Sequence, residues 1–383
     1  MASMFEIVEV EETKPVIKLI GVGGCGGNAV TRIIGGGLNG VEFISINTDA
    51  QALKRNSAPT QLQLGKGLGA GGKPEVGREA AMVDRERIAE LIEGADMLFI
   101  AAGMGGGTGT GAAPVVAQIA RDMDIITVAV VSKPFDFEGG KRMKLAMAGM
   151  SELEKFVNSM IIVPNQRLLE VLDADISMAE AFQAADGVLH SAVAGIAEII
   201  NNPADVNVDF ADVKTIMSES GKAMMGTATA SGPDRARVAA ESVVRSPLLE
   251  DVDLSGARGV LVNITGDMSL KLKEVTEVMN TIRESIADDA TVIYGQTISE
   301  DAGDMIHVTL VATGLGQPKQ PVRQQPTMTI IKTGTDDIPM EVNYDDLDTP
   351  AVMRRGRGGL SDSGRSSSSA DLEIPAFLRK QAD

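Results

Sequence analysis

Short apolar runs alternate along the first half of the chain with stretches whose apolar positions recur every three or four residues. Val16–Ile20, Val41–Asn47, Met97–Ala102, Ile125–Ser132 and Met160–Val163 read as buried strands. Between them, Asn28–Ile34, Glu75–Ile92 and Ala112–Met123 read as helices. Glycine-rich loops fill the joints at Gly21–Gly27 and Gly103–Gly111, and a third such stretch, expected to be mobile, spans Gly65–Gly72. Strands alternating with helices predict a parallel sheet covered on both faces. Ser177–Asn201 is the longest helical pattern. Met178, Phe182, Ala185, Leu189, Ala192, Ile196 and Ile199 line one face, and Pro203 stops it. A smaller α+β block follows, with helices at Arg235–Arg245 and Leu270–Ile286 and strands at Gly259–Ile264, Thr291–Gln296 and Met305–Ala312.

This pattern predicts an α/β fold with a Rossmann-like parallel-sheet domain, a long central helix, a smaller α+β domain and a disordered C-terminal tail. The expected boundaries are a flexible segment at 1–14, an α/β domain at 15–176, the central helix at 177–203, the α+β domain at 204–316, a linker at 317–370 and a terminal peptide at 371–383. The linker is expected to be disordered because it is rich in proline, carries a basic patch (Arg354, Arg355, Arg357) and ends in the run Ser366–Ser369. The last residues turn apolar again, with Ile374, Pro375, Phe377 and Leu378 beside Arg379 and Lys380. On a disordered tether that composition suits a peptide that orders on binding a partner.

Composition narrows the class. Only 3% of the 383 residues are aromatic and none is Trp, so small and aliphatic side chains must build the core. A formal charge of −18 repels a phosphate backbone and argues against nucleic acid as the main partner. One cysteine, Cys25, cannot form an internal disulfide, which favours a reducing compartment. No apolar run has the length of a membrane span, and Met1–Glu12 lacks the marks of a signal peptide, so a cytoplasmic protein without membrane insertion is expected.

The first glycine loop follows a strand and opens a helix. Gly23, Gly24, Cys25, Gly26, Gly27 and Asn28 offer backbone N–H groups to a phosphate, helped by the helix dipole. Gly21, Gly23 and Gly26 also match a dinucleotide fingerprint, with Asp49 placed like a ribose-binding acid. Alone, this loop suits a nicotinamide-dependent oxidoreductase equally well. The second loop changes the balance. Gly105, Gly106, Gly107, Thr108, Gly109 and Thr110 form a run too rich in glycine for turn geometry alone, since ordering glycine is entropically costly. A nest of N–H groups for a di- or triphosphate, with the Thr108 and Thr110 hydroxyls as further donors, accounts for it. No GxxxxGK[ST] run occurs, which excludes a P-loop.

The run Gly105–Gly111 resembles the signature of the tubulin/FtsZ family of GTPases, and similarity to its bacterial division branch extends from Val16 to Gly314. Further matching segments are Val41–Asp49, Gly67–Arg78, Lys133–Arg142, Asn207–Val213 and Ser246–Thr265. The resemblance implies a filament-forming GTPase of the cytokinetic ring that binds GTP or GDP with Mg2+, although no protein cage for the ion is visible in the sequence. Phe182 and Asp186 lie four apart on one helix face. Without the resemblance they read as a core aromatic and a surface acid. With it, Phe182 stacks on the base and Asp186 accepts its N–H groups, a donor pair adenine lacks. Asn165 becomes a second base contact. Glu138 and Arg142, by spacing a surface ion pair, become ribose and phosphate contacts. Asp209 and Asp212, by spacing first-turn carboxylates facing a helix dipole, join Asn207 as catalytic groups that enter the next subunit's nucleotide site. The terminal peptide, Ile374 to Arg379, is implied to dock on membrane-tethering proteins such as FtsA or ZipA. A non-hydrolysing structural filament remains the rival that would leave Asp209 and Asp212 without a task.

Overall fold

The computed structural model describes residues 14–315 apart from 171, 173–174, 202–208, 219–220, 250–253 and 300–301. The strands are β1 (Ile17–Val22), β2 (Val41–Asn47), β3 (Thr60–Gln63), β4 (Met97–Gly103), β5 (Ile126–Lys133), β6 (Ser159–Pro164), β7 (Gly221–Ser231), β8 (Gly259–Gly266), β9 (Thr291–Ile298) and β10 (Met305–Leu315). The helices are α1 (Gly23–Gly35), α2 (Ala50–Lys54), α3 (Pro74–Val83), α4 (Arg85–Ile92), α5 (Thr108–Asp122), α6 (Gly140–Leu153), α7 (Asn165–Leu168), α8 (Met178–Asn201), α9 (Phe210–Ser218), α10 (Arg235–Val244) and α11 (Leu272–Arg283). The expected α/β class is the observed one. The linker and the terminal peptide lie outside the described residues.

All described strands join one sheet in the order β3-β2-β1-β4-β5-β6-β7-β10-β8-β9. From β3 to β7 every neighbour is parallel, whereas β10 runs antiparallel to both β7 and β8. The β6–β7 seam is short, pairing Ser159–Ile161 with Gly221–Ala223. β1 is buried along its whole length, as a strand covered on both faces must be. Leu19 and Ile20 show the alternation: Leu19 belongs to the core that holds Ile33, Leu189 and Ile196 on one face, Ile20 to the core that holds Ile88, Val116 and Met150 on the other. A third cluster around Val260, Val278 and Leu310 fills the C-terminal half.

Both glycine-rich segments differ from the sequence expectation. Neither helix waits for its loop to end: α1 begins at Gly23 and α5 at Thr108. Glycine is a poor helix former, so packing has overridden propensity. A Cβ on Gly26 would overlap the carbonyl of Ala101 in β4, so only glycine lets the first turn of α1 lie this close to the sheet. Gly23, at φ +77°, makes the turn out of β1. The long helix expected over Glu75–Ile92 is two helices. The break falls at Asp84, whose carboxylate accepts from the Gly65 N–H at 2.9 Å.

α8 reaches from the carboxyl ends of the parallel strands to the C-terminal half. Leu189, Ala192, Val193 and Ile196 are buried on it. Further along, Gly195 sits against Thr309 of β10, and Ile199 sits against Gly295 of β9. Arg235, only 4% exposed, anchors the far half through Glu274 (2.7 Å) and Asp304 (3.4 Å).

Candidate functional site

The carboxyl ends of β1, β4 and β5 open into a cleft of about 390 Å³, where a parallel sheet ordinarily binds its ligand. α1 contributes Gly24, Cys25 and Asn28, and the segment into α5 contributes Gly106, Gly107, Thr108 and Gly109. Glu138 comes from the turn before α6, Arg142 from the first turn of α6, Asn165 from the start of α7, and Phe182 and Asp186 from α8. α1 and α5 both start at this cleft, and no side chain caps the first turn of either. Their leading N–H groups and positive dipole ends are placed to receive an anion.

The glycines divide by task. A Cβ on Gly24 or Gly106 would meet nothing within 4 Å, so these residues keep cleft space open rather than relieve packing. Gly23, Gly26, Gly27 and Gly105 do not line the cleft; they let chain segments approach one another. Thr110 is also absent from the lining. Its buried hydroxyl accepts from the Gly105 N–H at 2.8 Å and so holds the loop, while the Thr108 side chain lines the cleft. The Thr110 hydroxyl proton is not used by that bond, so its expected role as a donor stands as a proposal. Asp49 caps α2, accepting from the N–H groups of Gln51 and Ala52, and also stays out of the cleft.

Asn165 is 5% exposed, and its Oδ1 has no hydrogen-bond partner. A buried acceptor left open beside a cleft marks the place of a ligand donor. Phe182, 39% exposed, meets Phe135 edge-on at 5.3 Å, and Phe135 stacks on Phe137 at 5.1 Å. That aromatic stack fixes the Phe182 ring. Burial raises the Asp186 carboxyl to about 6, against the opposing pull of Arg32. Glu138 and Arg142 form the ion pair their spacing suggested, at 3.1 Å, and both remain on the cleft wall. Glu138 also accepts from the Phe135 N–H at 2.8 Å, which fixes its carboxylate.

Cys25 lies 3.5 Å from the Ser132 hydroxyl. Burial, seconded by Asp186, pushes its thiol up to about 11, so it stays protonated and inert at neutral pH. Met104, Ser132, Pro134 and Ala185 also line the cleft without having been expected there from the sequence. Ala185 alone carried a usable signal, three residues from Phe182 on the same helix face.

Asp209 and Asp212 are exposed at the start of α9 and do not line this chain's cleft. Asn207, Ile374, Pro375, Phe377, Leu378 and Arg379 lie outside the described residues. Among the described residues, no three His, Cys, Asp or Glu side chains cluster to hold a metal, and no helix is long and apolar enough to cross a membrane.

Residues 16–173 match the GTPase domain of the tubulin/FtsZ family, and residues 221–316 match the C-terminal domain of the FtsZ family. The cell division protein FtsZ of Pseudomonas aeruginosa is 53% identical, covering 99% of this chain and 100% of its own length. That of Coxiella burnetii is 48% identical over 98% and 99%. Among solved structures, an FtsZ dimer from M. jannaschii superposes with a TM-score of 0.77 at 43% identity, covering 79% of this chain and 89% of that one. CetZ2 from Haloferax volcanii, at 22% identity and a TM-score of 0.67, shares the fold. An anion cradle at two helix starts, an open buried acceptor and the match along nearly the whole chain converge: the chain belongs to the tubulin/FtsZ family of guanine-nucleotide-binding, self-assembling GTPases.

Proposed function

We propose that this chain binds GTP in the cleft, assembles head to tail with copies of itself and hydrolyses GTP at each junction, driving the cytokinetic ring of a dividing bacterium. Phe182 stacks on the guanine, Asp186 accepts its two ring-edge N–H groups, and Asn165 meets the base through its open amide oxygen. Glu138 and Arg142 hold ribose and phosphate. The first N–H groups of α1 and α5, with the Thr108 hydroxyl, cradle the phosphates. Mg2+ accompanies the triphosphate and takes oxygen ligands from it and from water, as this ion commonly does.

The observation that carries the composite-site reading is the position of Asp209 and Asp212. Both carboxylates stand exposed on α9, away from the cleft of their own chain. The acids inside the cleft, Asp186 and Glu138, are assigned in this reading to base and sugar. A water-orienting carboxylate must then come from the next subunit, where Asp209, Asp212 and Asn207 enter the junction. Phosphoryl transfer depends chiefly on such positioning and on charge. Head-to-tail contacts between two different faces, repeated from copy to copy, give an open filament unless their rotation closes a ring. We further read 15–176 as the nucleotide domain, 177–203 as the connecting helix and 204–316 as the domain that supplies the acids. The Ile374–Arg379 peptide is the proposed anchor to membrane-tethering proteins of the FtsA or ZipA kind, which places the filament at the division site beneath the inner membrane.

A mixing experiment tests the shared site. Asp186→Ala should fail to bind nucleotide, and Asp212→Ala should bind it without turnover. Combined in equal amounts, they should recover part of the wild-type phosphate release, because one variant binds GTP and the other supplies the acid. A mixture as inactive as its components would sink the composite site.

A further inference from the structure

Phe135 is among the largest fully buried side chains of the molecule, at 1% exposed, yet it belongs to none of the three apolar clusters that build the core. A ring of that size is ordinarily buried to fill a core. Its ring neighbours stand at the cleft instead: Phe182 edge-on at 5.3 Å and Phe137 stacked at 5.1 Å. Phe135 is tied through its backbone as well. Its N–H donates to Glu138 Oε1 at 2.8 Å, and its carbonyl accepts from the Glu138 N–H at 3.1 Å, which closes the single 3-10 turn Asp136–Glu138. The next residue, Asp136, donates its N–H to Gln166 Oε1 at 3.1 Å, and Gln166 follows Asn165 at the start of α7. Glu138, Asn165 and Phe182 line the cleft from three separate elements, whereas Phe135 does not line it. All three are nonetheless joined to Phe135 or to a residue bonded to its turn.

We infer that Phe135 is a positioning residue for nucleoside recognition, which sets the Phe182 base platform and the Glu138 carboxylate as one unit without touching the nucleotide. The inference rests on the nucleotide-site reading above. An edge-on contact engages at most one face of the Phe182 ring and leaves the other for a base. It also fixes the angle of that ring before a nucleotide arrives, so less ordering remains to be done on binding. Glu138 is held at both oxygens, by the Phe135 N–H at Oε1 and by Arg142 at Oε2. A displaced Phe135 therefore moves the base platform and the sugar-facing acid together. Groups with a shared support lose their effect jointly, and that appears as non-additivity between substitutions.

The test is a pair of double-mutant cycles on the full chain, read by GDP affinity, with the melting temperature of the nucleotide-free protein measured alongside. Phe135→Leu keeps an apolar side chain in place and removes the ring edge. It should weaken GDP binding about tenfold, as should Phe182→Leu and Glu138→Gln separately. Combined with either, Phe135→Leu should add no more than about a further threefold, because its effect passes through those residues. A residue that only stabilises the fold would lower the melting temperature and multiply with both, to about a hundredfold. A loss beyond that threefold, or GDP affinity unchanged by Phe135→Leu, would overturn the inference. Should Phe135→Leu fail to fold, Gln166→Met keeps the side-chain length and removes the anchor on Asp136. It should cost about threefold alone and nothing further on top of Glu138→Gln, and a multiplied loss would overturn the inference equally. A wild type that binds no GDP, or that is indifferent to both Phe182→Leu and Glu138→Gln, would refute the nucleotide site itself, and this inference with it.

Discussion

Lowering the pH from 7.5 to 5.5 should weaken guanine-nucleotide binding about fourfold through Asp186 alone. Burial lifts this carboxyl from 3.8 to about 6, with Arg32 pulling the other way. A group titrating near 6 is about 97% ionised at pH 7.5 and about 24% ionised at pH 5.5, and that ratio is about 0.8 kcal/mol. Only the carboxylate can accept both guanine N–H groups; the neutral acid sets a donor of its own against them. The lower pH stays clear of the isoelectric point of 4.6, where loss of net charge would promote precipitation. The terminal phosphate of GDP also titrates near pH 6, so the wild type alone is ambiguous. Asp186→Asn keeps the phosphate contribution and lacks the carboxylate, and the difference between the two pH profiles isolates Asp186. Calorimetric titration with GDP, repeated in two buffers of different ionisation heat, measures affinity and the protons released on binding. Parallel profiles for wild type and Asp186→Asn would refute the assignment. The same shift has a stability consequence. Between pH 3.8 and 6 the folded chain holds a proton that the unfolded chain has released, so stability falls as pH rises through that window. At neutral pH the nucleotide-free Asp186→Asn protein should therefore be more stable, by roughly 1–2 kcal/mol after allowing for partial exposure.

Gly24→Ala and Gly26→Ala should fail in opposite ways. The first places a methyl in open cleft space and gains helix propensity, so its melting temperature should hold while nucleotide affinity drops roughly tenfold. The second drives a methyl into the Ala101 carbonyl and should cost about 1–3 kcal/mol in thermal or denaturant unfolding. Arg235→Met removes the ion-pair partner of Glu274, leaving it only the Lys271 N–H, and should cost about 2–4 kcal/mol in denaturant titration. The hydrogen bond from Arg235 holds Glu274 below its usual 4.5, so this contribution is present above that pH and lost in more acid solution. Alkylation of Cys25 at pH 8, followed by mass spectrometry, should run about a hundredfold slower than in denaturant, because little thiolate forms in the fold. GDP should slow it further, and equal folded and denatured rates would contradict the burial of the thiol.

Strands such as Met97–Ala102 and Ile125–Ser132 were legible because an unbroken apolar run has one use in an α/β protein, and α8 was legible through its long periodicity. β7 was not. Its sequence of Gly, Ala, Met, Thr and Ser carries no clean alternation, and its identity comes from pairing with β6 and β10. Without it the two halves read as separate sheets. The helix starts at Gly23 and Thr108 were hidden for a related reason: glycine propensity points to loop, and only the distance to the neighbouring strand overrules it. In the cleft, Phe182 and Asp186 could be paired by helical spacing. Nothing local to Asn165 announces a buried amide without a partner, nor does Met104 or Ser132 reveal that strand ends converge on one cavity. Those properties belong to the sheet, and the order of strands in a sheet is a long-range fact.

The reach of α8 has a mechanical consequence. From Phe182 to Ile199 the helix spans about 26 Å. A tilt of 5° at the base-facing end displaces the other end by about 2 Å, more than the range over which a hydrogen bond or a packed methyl group survives. Ile199 is wedged against Gly295, which has no side chain to yield. The helix therefore works as a rigid beam between two bearings: whatever sets its angle at the nucleotide must be absorbed as sliding or strain against β9 and β10.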